Sequence, residues 1–247
     1  MTKQDYFRRC FMAKSIYSRV LLKLSGETLK GDLDFGYSPE SCAIVVERVK
    51  TILACNVKVA LVVGAGNIWR GGRAGDMMNR ADADKMGMLA TMMNAIALKN
   101  FFTAAGVPVL LQCAIPMGGF IPAFDRDQAN AALDEGKLVI FAGGTGNPYF
   151  TTDTASTLRA LETGCDAVLK ATQVDGVYSA DPKKDPKAVR YEELSFSEAI
   201  DKQLKIMDTA AFTLCREHSL PIVVFDFHHA DLDKVLAGDT SAGTIVH

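Results

Sequence analysis

Short apolar runs alternate along the chain with segments in which apolar residues recur at helical spacing. The runs predict strands at residues 19–24, 57–63, 107–113, 138–142, 167–170 and 221–225, with an edge strand at 244–246. The other segments predict helices at 39–55, 85–105, 197–203 and 208–218, and one that begins near residue 154. Alternating strands and helices are typical of a mostly parallel sheet covered on both faces. We therefore expect an α/β protein, a three-layer α/β/α sandwich.

The most informative segment is residues 143–153, Gly-Gly-Thr-Gly-Asn-Pro-Tyr-Phe-Thr-Thr-Asp, which directly follows the buried strand predicted at 138–142. Its glycines allow a tight turn and bring backbone N–H groups close to a ligand. Thr151, Thr152 and Asp153 supply hydroxyls and an N-cap for the next helix. Free N–H groups at a helix N-terminus favour an anion, most often a phosphate. Taken alone, the segment could equally be a capped strand-to-helix loop.

Three further junctions present glycine or small polar residues directly after a strand, at residues 23–26, 64–67 and 170–173. Such loops gather at the carboxyl ends of parallel strands, where ligands bind. Four of them together predict a long, phosphate-rich site. Neither standard nucleotide motif fits, because Asp32 replaces the lysine of a Walker A loop and Trp69 replaces the third glycine of a dinucleotide fingerprint.

Positive charge lies at the same junctions. Lys23 is flanked by leucines, Arg70 follows the second glycine loop, and Lys170 ends a strand. A lysine at a strand end is often only extending its ammonium group to water. Because all three converge with the anion-binding loops, we interpret them as clamps on transferring phosphates.

Composition excludes several other classes of protein. The 247 residues are 49% apolar and 23% charged with a formal net charge of −2, which is ordinary for a globular domain and lacks the basic surplus of a nucleic-acid binder. No apolar run approaches the roughly 18 residues of a membrane span. Residues 1–15 are polar and lack the apolar core of a signal peptide, so we interpret them as a flexible extension of a cytoplasmic protein.

Together, these segments closely resemble the bacterial uridylate kinases (UMP kinases) of the amino-acid-kinase superfamily. The resemblance rests on residues 23–27, 86–94, 143–153, 170–172 and on 175–178 with Asp181 and Pro182, and it spans about residues 18–246. It implies a single amino-acid-kinase domain over 16–247, with a UMP-binding part near 16–165 and an ATP-binding part near 166–247. The Gly-Thr-Gly-Asn-Pro loop with its double threonine distinguishes these enzymes from the aspartate, glutamate and carbamate kinases.

The resemblance implies the following roles. The ATP site would comprise Lys23, Leu24, Ser25, Gly26, Gly66, Arg70, Thr172, Tyr178 and Asp181. The UMP site would comprise Ala65, Asp84, Thr145, Gly146, Asn147, Pro148, Tyr149, Phe150, Thr151 and Thr152. The catalytic residues would be Lys23, Arg70, Asp181 and Asp208, with Asp208 organising the phosphate-binding cations.

Regulation and assembly follow from the same resemblance. An allosteric GTP region would comprise Gly31, Asp32, Leu33, Asp34, Phe35 and Gly36, although a plain surface turn is the simpler interpretation. The resemblance also implies a homohexamer, UTP as an inhibitor and GTP as an activator. Two positions depart from the family pattern: Ala65 stands where glycine is common, and Gln173 replaces a frequent lysine.

The expected reaction is transfer of the γ-phosphoryl group of ATP to UMP, giving ADP and UDP, with Mg²⁺ carried mainly by nucleotide phosphates and water. The sequence leaves the protein ligands of the metal unknown. Two alternatives stay open. One is a kinase of the same superfamily that takes a carboxylate or carbamate. The other is a non-catalytic nucleotide-binding protein such as the molybdenum storage proteins. Asp84 could also be only a helix cap.

Overall fold

A computed structural model describes residues 14–70 and 78–247, so most of the predicted extension at 1–15 lies outside the described residues. The helices are α1 (Glu27–Lys30), α2 (Pro39–Ala54), α3 (Arg80–Ala104), α4 (Arg126–Asp134), α5 (Thr152–Glu162), α6 (Phe196–Asp201), α7 (Thr209–Glu217) and α8 (Leu232–Leu236). The strands are β1 (Arg19–Leu24), β2 (Lys58–Val63), β3 (Val109–Cys113), β4 (Leu138–Ala142), β5 (Ala167–Thr172), β6 (Val177–Tyr178), β7 (Arg190–Tyr191), β8 (Glu193–Leu194), β9 (Ile222–Asp226) and β10 (Thr244–Val246).

One eight-stranded sheet, in the order β3-β4-β2-β1-β5-β9-β10-β8, organises the molecule. Its strand pairs are parallel except for β9 and β10, which run antiparallel. The expected α/β fold is therefore confirmed. The prediction of 244–246 as an edge strand is wrong, because β10 lies between β9 and the short strand β8. That pairing depends on contacts far along the chain, which apolar periodicity does not report.

Helices cover both faces of the sheet. Successive side chains along a strand point to opposite faces, so odd- and even-numbered positions of one strand pack against different helices. One apolar cluster packs α2, α3 and α8 against Val20, Leu22 and Leu24 of β1. A second cluster packs α4, α5, α6 and α7 against the other face, which includes Leu21 and Val168. Lys23 and Lys170 share the parity of that second face, so both lie on the side of the sheet covered by α5 and α7.

The long helix α3 begins at Arg80, five residues before its predicted start, and the side chain of Asn79 caps it by accepting a bond from Ala81 N. Charged residues fill its first turns, so apolar spacing could not reveal them. Asp84 therefore lies inside the helix, and the alternative that it caps the helix is wrong. Within the described residues, no helix combines the length and apolarity needed to cross a bilayer.

Candidate active site

The carboxyl ends of β1, β2, β4 and β5 meet at one edge of the sheet, and the predicted loops follow them directly. Gly64 N donates to Leu24 O at 2.9 Å, which ties the second loop to the end of β1. A β-carbon at Gly26 would lie 2.5 Å from Gly64 O and 2.6 Å from Gly66 N. Only glycine permits that approach. Gly26 and Gly66, both predicted to contact phosphates, therefore form one compact double loop.

A buried carboxylate bridges two lysines on neighbouring strands. Lys23 of β1 lies opposite Lys170 of β5 in the parallel register. Lys23 Nζ is 2.8 Å from Asp153 Oδ1, and Lys170 Nζ is 2.7 Å from Asp153 Oδ2. All three side chains are at most 16% exposed. The group presents two ammonium charges and one carboxylate, and therefore a net positive charge, at the ligand edge of the sheet.

Burial and the neighbouring charges together shift the pKa values of Asp153 and Lys170. Burial raises the pKa of Asp153, but the opposing charges of Lys23 and Lys170 outweigh it, and the pKa lies below its usual value. Burial also lowers the pKa of Lys170, against the opposing effect of the Asp153 carboxylate. Asp153 is therefore ionised at neutral pH, and the geometry suits a site that binds anions.

Asp208 forms no ion pair with Lys23 or Lys170 in the described residues, but its charge opposes the lowering of the Lys170 pKa. Its carboxylate accepts bonds from the hydroxyls of Thr151 and Thr154, the latter at 2.9 Å, and caps α7 by accepting from Ala211 N at 3.0 Å. The carboxylate that joins the cations is Asp153, which the sequence predicted only as a helix cap. The true cap of α5 is Thr151. Asp208 therefore fixes the start of α5, the helix that carries Asp153.

A cavity of about 400 Å³ opens between the Gly143 loop, the Gly64 loop and α3. Most residues predicted for UMP line it, namely Ala65, Asp84, Thr145, Asn147, Phe150, Thr151 and Thr152. Gly146, Pro148 and Tyr149 belong to the same loop but are not among the lining residues. Gly144 of the predicted loop 143–153 also lines it, and the sequence did not predict for UMP the other lining residues, which are Trp69, Arg80, Ala83, Gly87, Met88 and Thr91.

Asp84 joins α3 to the Gly143 loop across this cavity. Arg80 Nε lies 2.9 and 2.8 Å from the two carboxylate oxygens of Asp84, and Tyr149 N donates to Oδ2 at 2.8 Å. Tyr149 has a φ of 72°, a conformation that non-glycine residues rarely adopt. Thr91 makes a second link, because its hydroxyl accepts from Gly143 N at 3.0 Å. Helix α3 thus holds both ends of the loop.

Arg70 lies beside Gly66 and forms an ion pair with Glu27 of α1, with Arg70 Nε 2.9 Å from Glu27 Oε1. A β-carbon at Gly66 would meet the same Glu27 oxygen at 2.8 Å. The guanidinium is therefore next to the double loop, as predicted, and its charge is balanced by a carboxylate that a phosphate could replace.

The residues predicted for adenosine lie beyond β5. Thr172 ends β5 and its hydroxyl donates to Val174 O at 2.6 Å, which closes the turn. Tyr178 of β6 donates to Asp175 Oδ1 at 2.6 Å. Asp181 accepts from Lys183 N at 3.0 Å and is 49% exposed. These side chains bond mainly within their own loop. In the described residues, no contact connects Asp181 with Lys23, Asp153 or Lys170.

Gly31, Asp32 and Leu33 line a second cavity of about 630 Å³, with Glu27, Glu40, Gln173 and His228 among its other walls. Phe35 is 75% exposed in the same turn. The turn is fastened at Gly36, whose N–H donates to Asn67 O at 2.8 Å. Residues 31–35 are therefore an exposed surface turn whose last residue, Gly36, bonds to the glycine loop.

Two signals in the sequence could have located the missed residues. Two lysines that share a strand parity inside an apolar core require a nearby carboxylate, and Asp153 is the acid that directly follows the longest glycine loop. Arg80 precedes Asp84 by four residues, the spacing of a helical ion pair. Trp69 had no such signal, because only the folded loop brings its indole N–H within 2.9 Å of Ala83 O.

Comparisons with known proteins agree with this geometry. The model of the amino acid kinase family matches residues 18–226. A solved UMP kinase from Bacillus anthracis is 34% identical, with a TM-score of 0.90 over 94% of this chain and 96% of that one. A UMP kinase from Ureaplasma parvum is also 34% identical, with a TM-score of 0.87 over 93% and 98%. A uridylate kinase from Archaeoglobus fulgidus is 26% identical, with a TM-score of 0.69 over 92% and 99%.

Asp153→Asn should destabilise the protein strongly, because two buried lysines lose their counter-charge. Removing one partner of a buried ion pair typically costs about 3–5 kcal/mol. The low pKa of Asp153 in the folded state stabilises the fold above its unfolded pKa of about 4, and this contribution is lost as the pH falls through the folded pKa. Urea unfolding at several pH values should therefore show a large gap between wild type and variant at neutral pH that narrows below about pH 4.

The matched control is Asp134→Asn, since Asp134 also pairs with two cations, Arg19 and Lys58, but is 58% exposed. Its effect should be much smaller, because water screens exposed pairs. Equal losses in the two variants would contradict the central role of Asp153.

Proposed function

The chain belongs to the amino acid kinase family, and we infer that it is a UMP kinase, transferring the γ-phosphoryl group of ATP to UMP to give ADP and UDP. The observation that carries this conclusion is its similarity, over more than nine-tenths of both chains, to two UMP kinases at 34% identity. The cavity beside Asp84 and Thr145 supports it, since it offers polar partners for a ribose and a base. We place the reaction in pyrimidine nucleotide synthesis.

The chemistry requires alignment and charge neutralisation more than proton transfer. The acceptor oxygen of UMP is already anionic, so no strong base is needed, but two mutually repelling anions must be brought in line. Lys23 and Lys170 offer two ammonium groups at fixed positions, because Asp153 orients both. Such preorganised charges stabilise the transferring phosphoryl group without reorganisation during the reaction.

The two nucleotides would occupy opposite halves of the sheet edge. UMP would lie in the cavity between α3 and residues 145–152. The ATP phosphates would lie on the double loop of residues 23–26 and Gly66, where Arg70 would exchange Glu27 for a phosphate. Thr172, Tyr178 and Asp181 would hold the adenosine. Only the adenosine residues would fall in the predicted ATP-binding part near 166–247, because the phosphate loops belong to the part near 16–165. Lys23 and Lys170 would lie between the two nucleotides.

We assign different tasks to the acids predicted as catalytic. Asp208 would act through Thr151 and Thr154, by fixing the start of α5 and therefore the position of Asp153. Asp181 would contact the nucleotide rather than the transferring group. In the described residues no cluster of three or more His, Cys, Asp or Glu side chains is arranged to hold a metal ion. Mg²⁺ would be held mainly by ATP phosphates and water, and would supply further charge neutralisation.

Activation by GTP would act through the turn at residues 31–36, and UTP would inhibit as the end product. The bond from Gly36 N to Asn67 O supports a connection between this turn and the phosphate loop. The acids Glu27, Asp32 and Glu40 around the second cavity would repel a bare triphosphate, so GTP would have to bring a cation with it. Initial rates with added GTP or UTP test both effects.

Assembly into a homohexamer would use an exposed apolar stripe on α3. Met86, Leu89, Met93 and Ile96 are 38–53% exposed and recur at intervals of three and four residues, so they form one helix face. A contiguous apolar face on a helix marks an interaction surface more often than an isolated exposed residue does. The opposite face of α3 lines the UMP cavity, so subunit contacts would also steady the acceptor site.

The first test is a coupled assay of ADP formation with UMP, CMP, dUMP, glutamate and carbamate as acceptors. UMP should be the preferred acceptor. Lys23→Ala should lower kcat by at least ~100-fold, because a preorganised charge at the transition state is commonly worth a few kcal/mol. Lys58→Ala is the control, since Lys58 lies at the other end of β2 and pairs with Asp134. Preference for an amino acid, or no turnover with any acceptor, would reject the inference.

A second test concerns the ribose of UMP. A site built to bond a hydroxyl rejects an analogue that lacks it, because its polar groups are then left unpaired. Wild type should therefore prefer UMP to dUMP, and Asp84→Asn should raise the KM for UMP and reduce that preference, with little change in the KM for ATP. If Asp84→Asn only lowers the Tm and leaves the ratio of kcat/KM values unchanged, Asp84 serves the loop and not the ligand.

A third test concerns the stripe. The double variant Leu89→Glu/Met93→Glu should dissociate the hexamer, because charges cannot be buried in an apolar interface without a large cost. Light scattering at micromolar concentration should report the mass of a hexamer for wild type and a smaller species for the variant. Ile200→Glu, at an exposed apolar position on the opposite face of the sheet, should leave the mass unchanged. A monomeric wild type would contradict the assembly.

A further inference from the structure

Two buried asparagines form a reciprocal amide pair beneath the double glycine loop. Asn67 follows the Gly64 loop and is 1% exposed, and Asn94 lies in the middle of α3 and is fully buried. Asn67 Nδ2 donates to Asn94 Oδ1 at 3.0 Å, and Asn94 Nδ2 donates to Asn67 Oδ1 at 2.7 Å. Each side chain thus donates directly to the other and accepts from it.

Each amide also donates to one backbone carbonyl. The second N–H of Asn67 reaches Gly36 O at 3.0 Å, and that of Asn94 reaches Gly64 O at 2.7 Å. All four side-chain N–H hydrogens are therefore used, as buried polar groups require. Aspartate could not replace either residue, since its carboxylate would face a carbonyl oxygen. Leucine at either position would leave one backbone carbonyl and the partner amide unsatisfied.

The pair connects segments that are distant in sequence. Gly36 bonds Asn67 in both directions, because its N–H donates to Asn67 O while its carbonyl accepts from the side chain. A β-carbon at Gly26 would lie 2.5 Å from Asn67 Oδ1, so this oxygen also defines how closely the first loop approaches. The turn at 31–36, both phosphate loops and α3 therefore meet at one buried point.

We propose that Asn67 and Asn94 are positioning residues for the phosphoryl donor, which hold the loops at Ser25–Gly26 and Gly64–Gly66 at a fixed spacing. Neither side chain lines either of the two cavities described above, so both would act through the backbone of the loops. Asn94 anchors the loops to the helix that carries Asp84, so the donor and acceptor halves share one rigid support. The proposal rests on the inferred kinase function for its ligand, ATP.

The test measures ATP affinity by calorimetry, together with the KM for ATP and for UMP and the Tm. Loosening the loops should weaken ATP binding, so Asn94→Ala and Asn67→Ser should each raise the Kd and the KM for ATP about 10-fold, a change of the size of the net value of one hydrogen bond. The KM for UMP should change by no more than about twofold, because the link from Asp84 to Tyr149 remains. The double variant Asn67→Ser/Asn94→Ala should bind ATP no more weakly than the worse single variant, since residues that act as a unit are not additive.

Leu98→Ala is the matched control, because Leu98 is buried on the same helix and belongs to the apolar core. It should lower the Tm while the Kd for ATP stays at the wild-type value. If the asparagine variants behave like Leu98→Ala, or if their effects on ATP affinity simply add, the positioning role is overturned. A wild type that binds ATP but does not phosphorylate UMP would reject the inferred function alone, because calorimetry needs no acceptor.

Discussion

The active-site edge of the sheet depends on the pairing of two lysines, which lie side by side on neighbouring parallel strands and are largely shielded from water. Lys23 and Lys170 occupy adjacent strands at matched positions, and two like charges there are unfavourable without an anion. Asp153 supplies it with one carboxylate oxygen for each lysine. Asp153 lies in the first turn of α5, so the position of its carboxylate depends on where the Gly143 loop ends and the helix begins. Asp208 fixes this point by bonding to Thr151 and Thr154. Without Asp153, the ammonium groups of Lys23 and Lys170 would destabilise the fold. The same two positive charges are suited to stabilising a transferring phosphoryl group.

Helix α3 is the second support of the site. It reaches the Gly143 loop through Thr91 and Asp84, and the Gly64 loop through Asn94. These contacts lie on successive turns of one helix, so the loops on β2 and β4 cannot shift independently. A rigid helix behind flexible glycine loops combines close approach to ligands with fixed geometry, and the kinase chemistry that we infer depends on both.

The fold class and much of the sheet follow from local pattern. Residues 19–24 and 138–142 were predicted as strands with the bounds observed for β1 and β4, because fully buried parallel strands are continuous apolar runs. The predicted start of α3 is five residues late, since its first turns are rich in charged residues. Candidate site residues such as Thr145 and Asp84 were predicted through family resemblance, and their convergence on one cavity agrees with that expectation without testing the ligand.

By itself, the sequence determined which residues are apolar, where glycine permits tight turns, and that lysines occur at strand ends. These properties are local, so the order of residues states them directly. Only the tertiary structure decided that Asp153 rather than Asp208 pairs with the lysines, that Asp84 accepts a bond from Tyr149 N, and that Asn67 pairs with Asn94. Each of these depends on strand order and helix placement, which bring together groups 27 to 130 residues apart. Strand parity limits which face a side chain occupies, but packing of the whole sheet selects its partner.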